Sequence, residues 1–153
     1  MTEESNARRI LAIDYGRRKI GLALSDELGL TARPLATIPR VNRRADLKRL
    51  RQICKENSVA RAIVGHPLHL SGEAGEMAAE AARFAARLRK ETGIETELVD
   101  ERLTSWQAQQ LAGETSSKRR KGGPLDDVAA AILLREYLER VNPSAGATTT
   151  ETR

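Results

Sequence analysis

Two short apolar runs, Arg9 to Asp14 and Lys19 to Ser25, meet through the abrupt polar turn Asp14-Tyr15-Gly16-Arg17-Arg18. A connection this short has no room for a crossover helix, so the runs read as the strands of an antiparallel hairpin. Along the second run, Ile20, Leu22 and Leu24 alternate onto one side of the pleat, and the small residues Gly21 and Ala23 fall on the other. Asp14 stands at the exit of the first strand. Thr31 to Ile38 reads as a third strand, and Pro34 assigns it to a sheet edge, where a missing N–H is easiest to tolerate.

Beyond the hairpin the apolar period lengthens. Asn42 caps a helix whose inward stripe is Leu47, Leu50 and Cys54. Arg43, Arg44, Lys48, Arg49 and Arg51 crowd the rest of its surface, a pattern that an ordinary solvated face explains equally well. Val59 to Val64 is a short apolar strand that ends at Gly65-His66-Pro67. Gly72 and Gly75 lead into a helix reaching about Lys90, with Met77, Ala81, Phe84 and Leu88 as its packed stripe; Gly93 stops it before a strand over Ile94 to Val99. Thr104 and Gln107 match a capping box for a short helix packed by Trp106 and Leu111. Gly113 to Pro124 is polar, basic and hinge-rich, as in a mobile loop, and Asp126 and Asp127 open an Ala/Leu-rich helix to about Arg140. Strands separated by helices predict an α/β domain over residues 9–141, its sheet covered on both faces, with a flexible N-terminus over 1–8 and a disordered tail over 142–153.

With 40% hydrophobic residues, the 153-residue chain can bury one continuous core without a disulfide or structural metal, and the lone Cys54 cannot form an internal disulfide. No apolar run approaches membrane-spanning length, and the opening MTEESNARR has no signal-type stretch, so a soluble cytoplasmic protein without a membrane partner is expected. Lys and Arg number 26 against 21 Asp and Glu, a formal charge of +5, which favours phosphate-bearing partners only modestly. Placement says more: Arg17, Arg18 and Lys19 follow Asp14, and Lys118, Arg119, Arg120 and Lys121 precede Asp126. Point charges of this kind attract phosphate without specifying sequence, so both clusters read as nucleic-acid backbone contacts.

Three acids occupy comparable boundaries: Asp14 after the first strand, Glu101 after the late strand, and Asp126 at the start of the last helix. Such boundaries can converge at one edge of an α/β sheet. Converging carboxylates repel one another unless divalent cations lie between them, and oxygen donors suit Mg²⁺ or Mn²⁺. A pair of such ions supports phosphodiester hydrolysis by orienting the attacking water and stabilising the leaving oxygen.

The segments Asp14-Tyr15-Gly16, Lys19-Ile20-Gly21, Ser25-Asp26, Val64-Gly65-His66-Pro67, Asp100-Glu101-Arg102-Leu103-Thr104 and Asp126-Asp127-Val128-Ala129-Ala130 occur in that order across residues 9–140. On these motifs the chain resembles the bacterial RNase H-like family related to Holliday-junction resolvases, described as nucleases for the 5′ end of pre-16S ribosomal RNA. The resemblance implies an RNase H-like mixed central sheet with helices on both faces. It also carries the acidic metal site onto Asp14, Glu101 and Asp126, with Asp127 and Thr104 as auxiliary positions. The function it implies is metal-dependent cleavage of structured RNA, pre-16S rRNA above all. A junction-type DNA resolvase acting on branched DNA and a noncatalytic RNA-binding ribosome assembly factor are the alternatives. His66 stands where the family more often has Leu, and Ser71 where an acidic or amide residue often precedes Gly72.

Plainer roles stay open for each residue. Asp14 can terminate a strand, Glu101 can pair with Arg102, and Asp126 can stabilise a helix N-terminus. His66 and His69 lack a cysteine partner pattern for zinc, and Cys54 lies on an apolar stripe. Trp106 and Tyr15 can stack a base, although a packed aromatic is the default. Oligomeric state is not fixed by these patterns.

Overall fold

The computed structural model describes residues 9–66, 75–100 and 125–141. The expected N-terminal segment 1–8, capping box, basic loop and tail 142–153 lie outside them. The elements in order are β1 (Arg9–Tyr15), β2 (Lys19–Ser25), β3 (Ala32–Pro39), α1 (Arg43–Glu56), β4 (Val59–His66), α2 (Glu76–Thr92), β5 (Glu95–Asp100) and α3 (Leu125–Val141). The strands form one sheet in the order β3-β2-β1-β4-β5. β1 runs antiparallel to β2 and parallel to β4, β2 is antiparallel to β3, and β4 is parallel to β5, so the sheet is mixed. The hairpin and the edge position of Pro34 are as the sequence predicts. Pro34 pairs with Ala23 beside a register shift, the kind of site where a residue without an N–H is accommodated.

The two faces of the sheet differ in side-chain size. Leu11, Ile13, Tyr15, Ile20, Leu22 and Leu24 pack against Leu47, Leu50 and Cys54 of α1 and Ala81, Phe84 and Leu88 of α2. On the other face Ala12, Ala23, Ile63 and Val99 meet Ala130, Leu133, Leu134, Tyr137 and Leu138 of α3. Large side chains therefore fill the space beneath two helices, and small ones let α3 lie close to the sheet. The stripe of α2 departs from expectation at its start: Ala78 is fully buried, whereas Met77 is only partly so. Helical phase explains this, because Ala78, Ala81, Ala85 and Leu88 follow the 3.6-residue period at spacings of three and four.

Local chemistry starts and stops these elements. Asn42 Oδ1 accepts the Ala45 N–H at 2.8 Å and opens α1. Asp46, buried in the first turn, accepts the Val41 N–H at 3.0 Å, so the incoming chain is fixed on both sides of the cap. Gly93, with φ of 77°, ends α2 in the left-handed region, and its N–H donates to the Arg89 carbonyl. Among the described residues no helix is long and apolar enough to cross a membrane.

Candidate active site

Strand parity locates Asp14. Leu11, Ile13 and Tyr15 belong to the α1/α2 face, so Asp14 shares the opposite face with Ala12, beneath α3. It is half-buried and pairs across the hairpin with Gly21, which presents no side chain beside the carboxylate. Because β1, β4 and β5 are parallel, their C-terminal ends reach the same sheet edge: Ile13 is level with Val64, and His66 is level with Asp100.

The direction of α3 completes the geometry. A Cβ built on Gly29, in the β2–β3 turn, would lie 4.0 Å from Leu138 Cδ2, and Tyr137 donates its hydroxyl to Glu97 Oε1 at 3.0 Å. The β2–β3 turn lies at the end of the hairpin away from Asp14. The C-terminal half of α3 is thus at that end, and its first turn lies toward the edge where β1 finishes. Asp126 and Asp127 belong to this first turn. Asp127 is partly buried, and its Oδ1 is a buried acceptor with no hydrogen-bond donor among the described residues.

Glu101, Thr104 and the cluster Lys118, Arg119, Arg120 and Lys121 lie outside the described residues, as does the side chain of Asp126. Among the described residues no three His, Cys, Asp or Glu side chains are grouped to hold a metal. The donor chemistry nonetheless fits a hard divalent cation: carboxylate oxygens are its preferred ligands, and the undonated Asp127 Oδ1 is the kind of buried acceptor that a cation satisfies. His66 has the parity of Val64 and belongs to the α1/α2 face, across the sheet from Asp14.

Arg17 and Arg18 of the β1–β2 turn and Lys19 at the start of β2 are all exposed. No residue pattern in the sequence marks what positions that turn. Arg40, just after β3, donates from Nη1 to the Gly16 carbonyl at 2.8 Å and the Arg17 carbonyl at 3.2 Å, and its backbone N–H donates to the Arg18 carbonyl at 2.8 Å. Its guanidinium lies 4.3 Å from the centroid of the Tyr15 ring, which stacks on Phe84 at 4.2 Å. Tyr15 is thus a packed aromatic. Burial pushes its hydroxyl pKa up; Arg40 opposes this, while Asp46 and Glu80 add to it. Gly16 is required by close approach, because an added Cβ would meet the Lys19 carbonyl oxygen at 2.9 Å.

The family model described as "RuvX: Holliday junction resolvase" matches residues 8–140. The chain belongs to the RuvX family. A relative from Koribacter versatilis, named "Putative pre-16S rRNA nuclease", is 42% identical over 133 residues, covering 86% of this chain and 87% of its own. A relative of the same name from Geobacillus kaustophilus is 42% identical over 135 residues, covering 86% and 97%. Among solved structures, Thermus thermophilus RuvC in complex with a Holliday junction substrate aligns with a TM-score of 0.54 at 15% identity, over 88% of this chain and 96% of that one. The fowlpox virus resolvase, in complex with Holliday junction DNA, aligns at 0.51 and 12% identity, over 88% and 99%. At such identities the likeness speaks for the fold alone: this RuvX chain has the RNase H-like mixed sheet with helices on both faces.

Proposed function

We propose that this protein is a nuclease that processes the 5′ end of pre-16S rRNA, with Asp14, Glu101 and Asp126 as its catalytic acids and Asp127 and Thr104 in support. The observation that carries this reading is Asp14 on the α3 face, at the sheet edge toward which the first turn of α3 is directed. The names of relatives at 42% identity favour RNA as the substrate. Mg²⁺ or Mn²⁺, held by the three acids, would activate water and stabilise the charge that develops on the cleaved phosphate. The protein's own groups then hold the polymer. Arg17, Arg18 and Lys19, which follow Asp14, and Lys118, Arg119, Arg120 and Lys121, which precede Asp126, attract backbone phosphates. The Arg40 clamp keeps the first of these clusters in one geometry next to Asp14.

The family's own description favours a second reading, cleavage of branched DNA. One experiment separates them: wild type and Asp14→Asn are incubated with a precursor-rRNA fragment and a four-way DNA junction, with and without Mg²⁺ or Mn²⁺, and products are mapped. The expected result is metal-dependent cutting of the RNA that falls by about a hundredfold or more in Asp14→Asn while binding persists. Equal cutting by both proteins removes Asp14 from the site. Binding without cutting in either metal supports the assembly-factor alternative instead.

A further inference from the structure

We infer that the basic groove between α1 and α2 is a second contact for the phosphate backbone of RNA, on the sheet face opposite Asp14. The inference rests on the nuclease reading only for the identity of the polymer. Arg43, in the first turn of α1, faces Arg83, Arg87 and Lys90 of α2 across a groove of about 310 Å³ whose described lining contains four cations and no carboxylate. All four side chains are exposed. Among the described residues none of them takes part in an ion pair, whereas Arg9, Arg61 and Arg89 pair with Glu27, Glu97 and Glu95.

An ordinary solvated face interleaves both signs. Here Arg83 and Arg87 are four residues apart on one helix, and Arg87 and Lys90 three apart, spacings at which like charges repel. That repulsion becomes attraction for a polyanion laid along the groove. Arg83 to Lys90 spans about 10 Å of helix at 1.5 Å per residue, enough to follow a few nucleotides.

A smaller cavity of about 190 Å³, lined by Tyr15, Arg40, Arg43, Glu80, Arg83 and Phe84, shares Arg43 and Arg83 with the groove. It extends the basic surface to the end of β1, where Arg40 is bound to the turn that carries Arg17 and Arg18. Its one acid, Glu80, pairs with Arg40 at 3.8 Å. Tyr15 and Phe84 are buried, so the surface offers charge without a stacking platform, which fits backbone contact rather than base reading. Because Asp14 and Tyr15 are neighbours on opposite faces of β1, an RNA that passes over this sheet edge touches the turn and the groove with one part and reaches Asp14 with another.

The test uses the full chain with Asp14→Asn in every variant and a chelator present, so that binding is read without cleavage. Affinity for a structured precursor-rRNA fragment is measured against salt for Arg83→Gln/Arg87→Gln/Lys90→Gln and for a control, Lys48→Gln/Arg49→Gln/Lys55→Gln, which removes the same formal charge elsewhere. Thermal melts check that each variant folds, and Arg43→Gln probes the groove from the other helix. The groove triple is expected to bind at least tenfold more weakly at about 0.1 M salt and to lower the log–log salt slope by about 3, with a change of about 1 for Arg43→Gln. The control should change affinity less than about threefold. Unchanged affinity in the groove variants overturns the inference and leaves the groove to an acidic protein partner, and an equal loss in the control overturns it in favour of net charge. If wild type cuts RNA while the groove variants bind normally, this inference fails alone; if no variant binds RNA, the nuclease reading fails with it.

Discussion

Arg40 joins three parts of the molecule through one side chain: the end of β3, the β1–β2 turn and the Tyr15–Phe84 stack. Replacing it with Ala removes two charge-assisted hydrogen bonds and a cation–π contact, and a loss of about 1–3 kcal/mol in urea unfolding is expected. Arg40→Lys should recover only part of this, because an ammonium lacks the fork that spans two carbonyls. A full recovery would mean that charge alone holds the turn. Nothing in the primary structure marks Arg40, since its partners lie more than twenty positions away and backbone carbonyls leave no residue-type signature. Cys54 is the opposite case, because its place on an apolar stripe already predicts a packed thiol. Burial pushes its pKa up to about 11. The native thiol is therefore protonated at pH 8, and a maleimide or iodoacetamide probe should label it slowly there and rapidly in urea. Fast labelling of the folded protein would contradict its placement.

At the scale of elements, the strands and helices that sequence periodicity predicts are those with one clearly apolar side. Ile20, Leu22 and Leu24 of β2, and Leu47, Leu50 and Cys54 of α1, pack as their spacing requires. Met77 departs from the expected stripe because a helix rich in alanine hides its inward face: Ala78, not Met77, is fully buried there. The stop at Gly93 was legible because a left-handed residue there favours glycine. Open space surrounds its Cβ position, so Gly93→Ala isolates the backbone cost from any collision. A loss of about 1 kcal/mol is expected, with less for Gly93→Asn. The urea midpoint should fall at unchanged m-value; a change in m would point to an altered denatured state or loss of two-state behaviour.

For the whole molecule, pairing partners are what local patterns cannot specify. The hairpin follows from a short turn, but the order β3-β2-β1-β4-β5 depends on which edge each crossover returns to. The same order gives the candidate site and the basic groove opposite faces of one sheet edge, although Asp14 and Tyr15 are adjacent in sequence. The place of Asp14 near the end of a strand is legible from the apolar run that precedes it, whereas no sequence signal marks Asp127 Oδ1, a buried acceptor without a donor among the described residues. If carboxylates meet at this edge, they destabilise the metal-free fold through repulsion, and a divalent cation that binds only the folded state must raise its stability. Thermal unfolding should therefore shift upward when Mn²⁺ or Mg²⁺ replaces chelator, with stabilisation of about 2.7 kcal/mol at a hundredfold excess over the dissociation constant. Asp14→Asn removes one ligand oxygen's charge from this edge, so the metal response of the variant should shrink relative to wild type. An identical upward shift in both proteins would mean that the ion binds elsewhere, and Asp14 would then have no part in holding it.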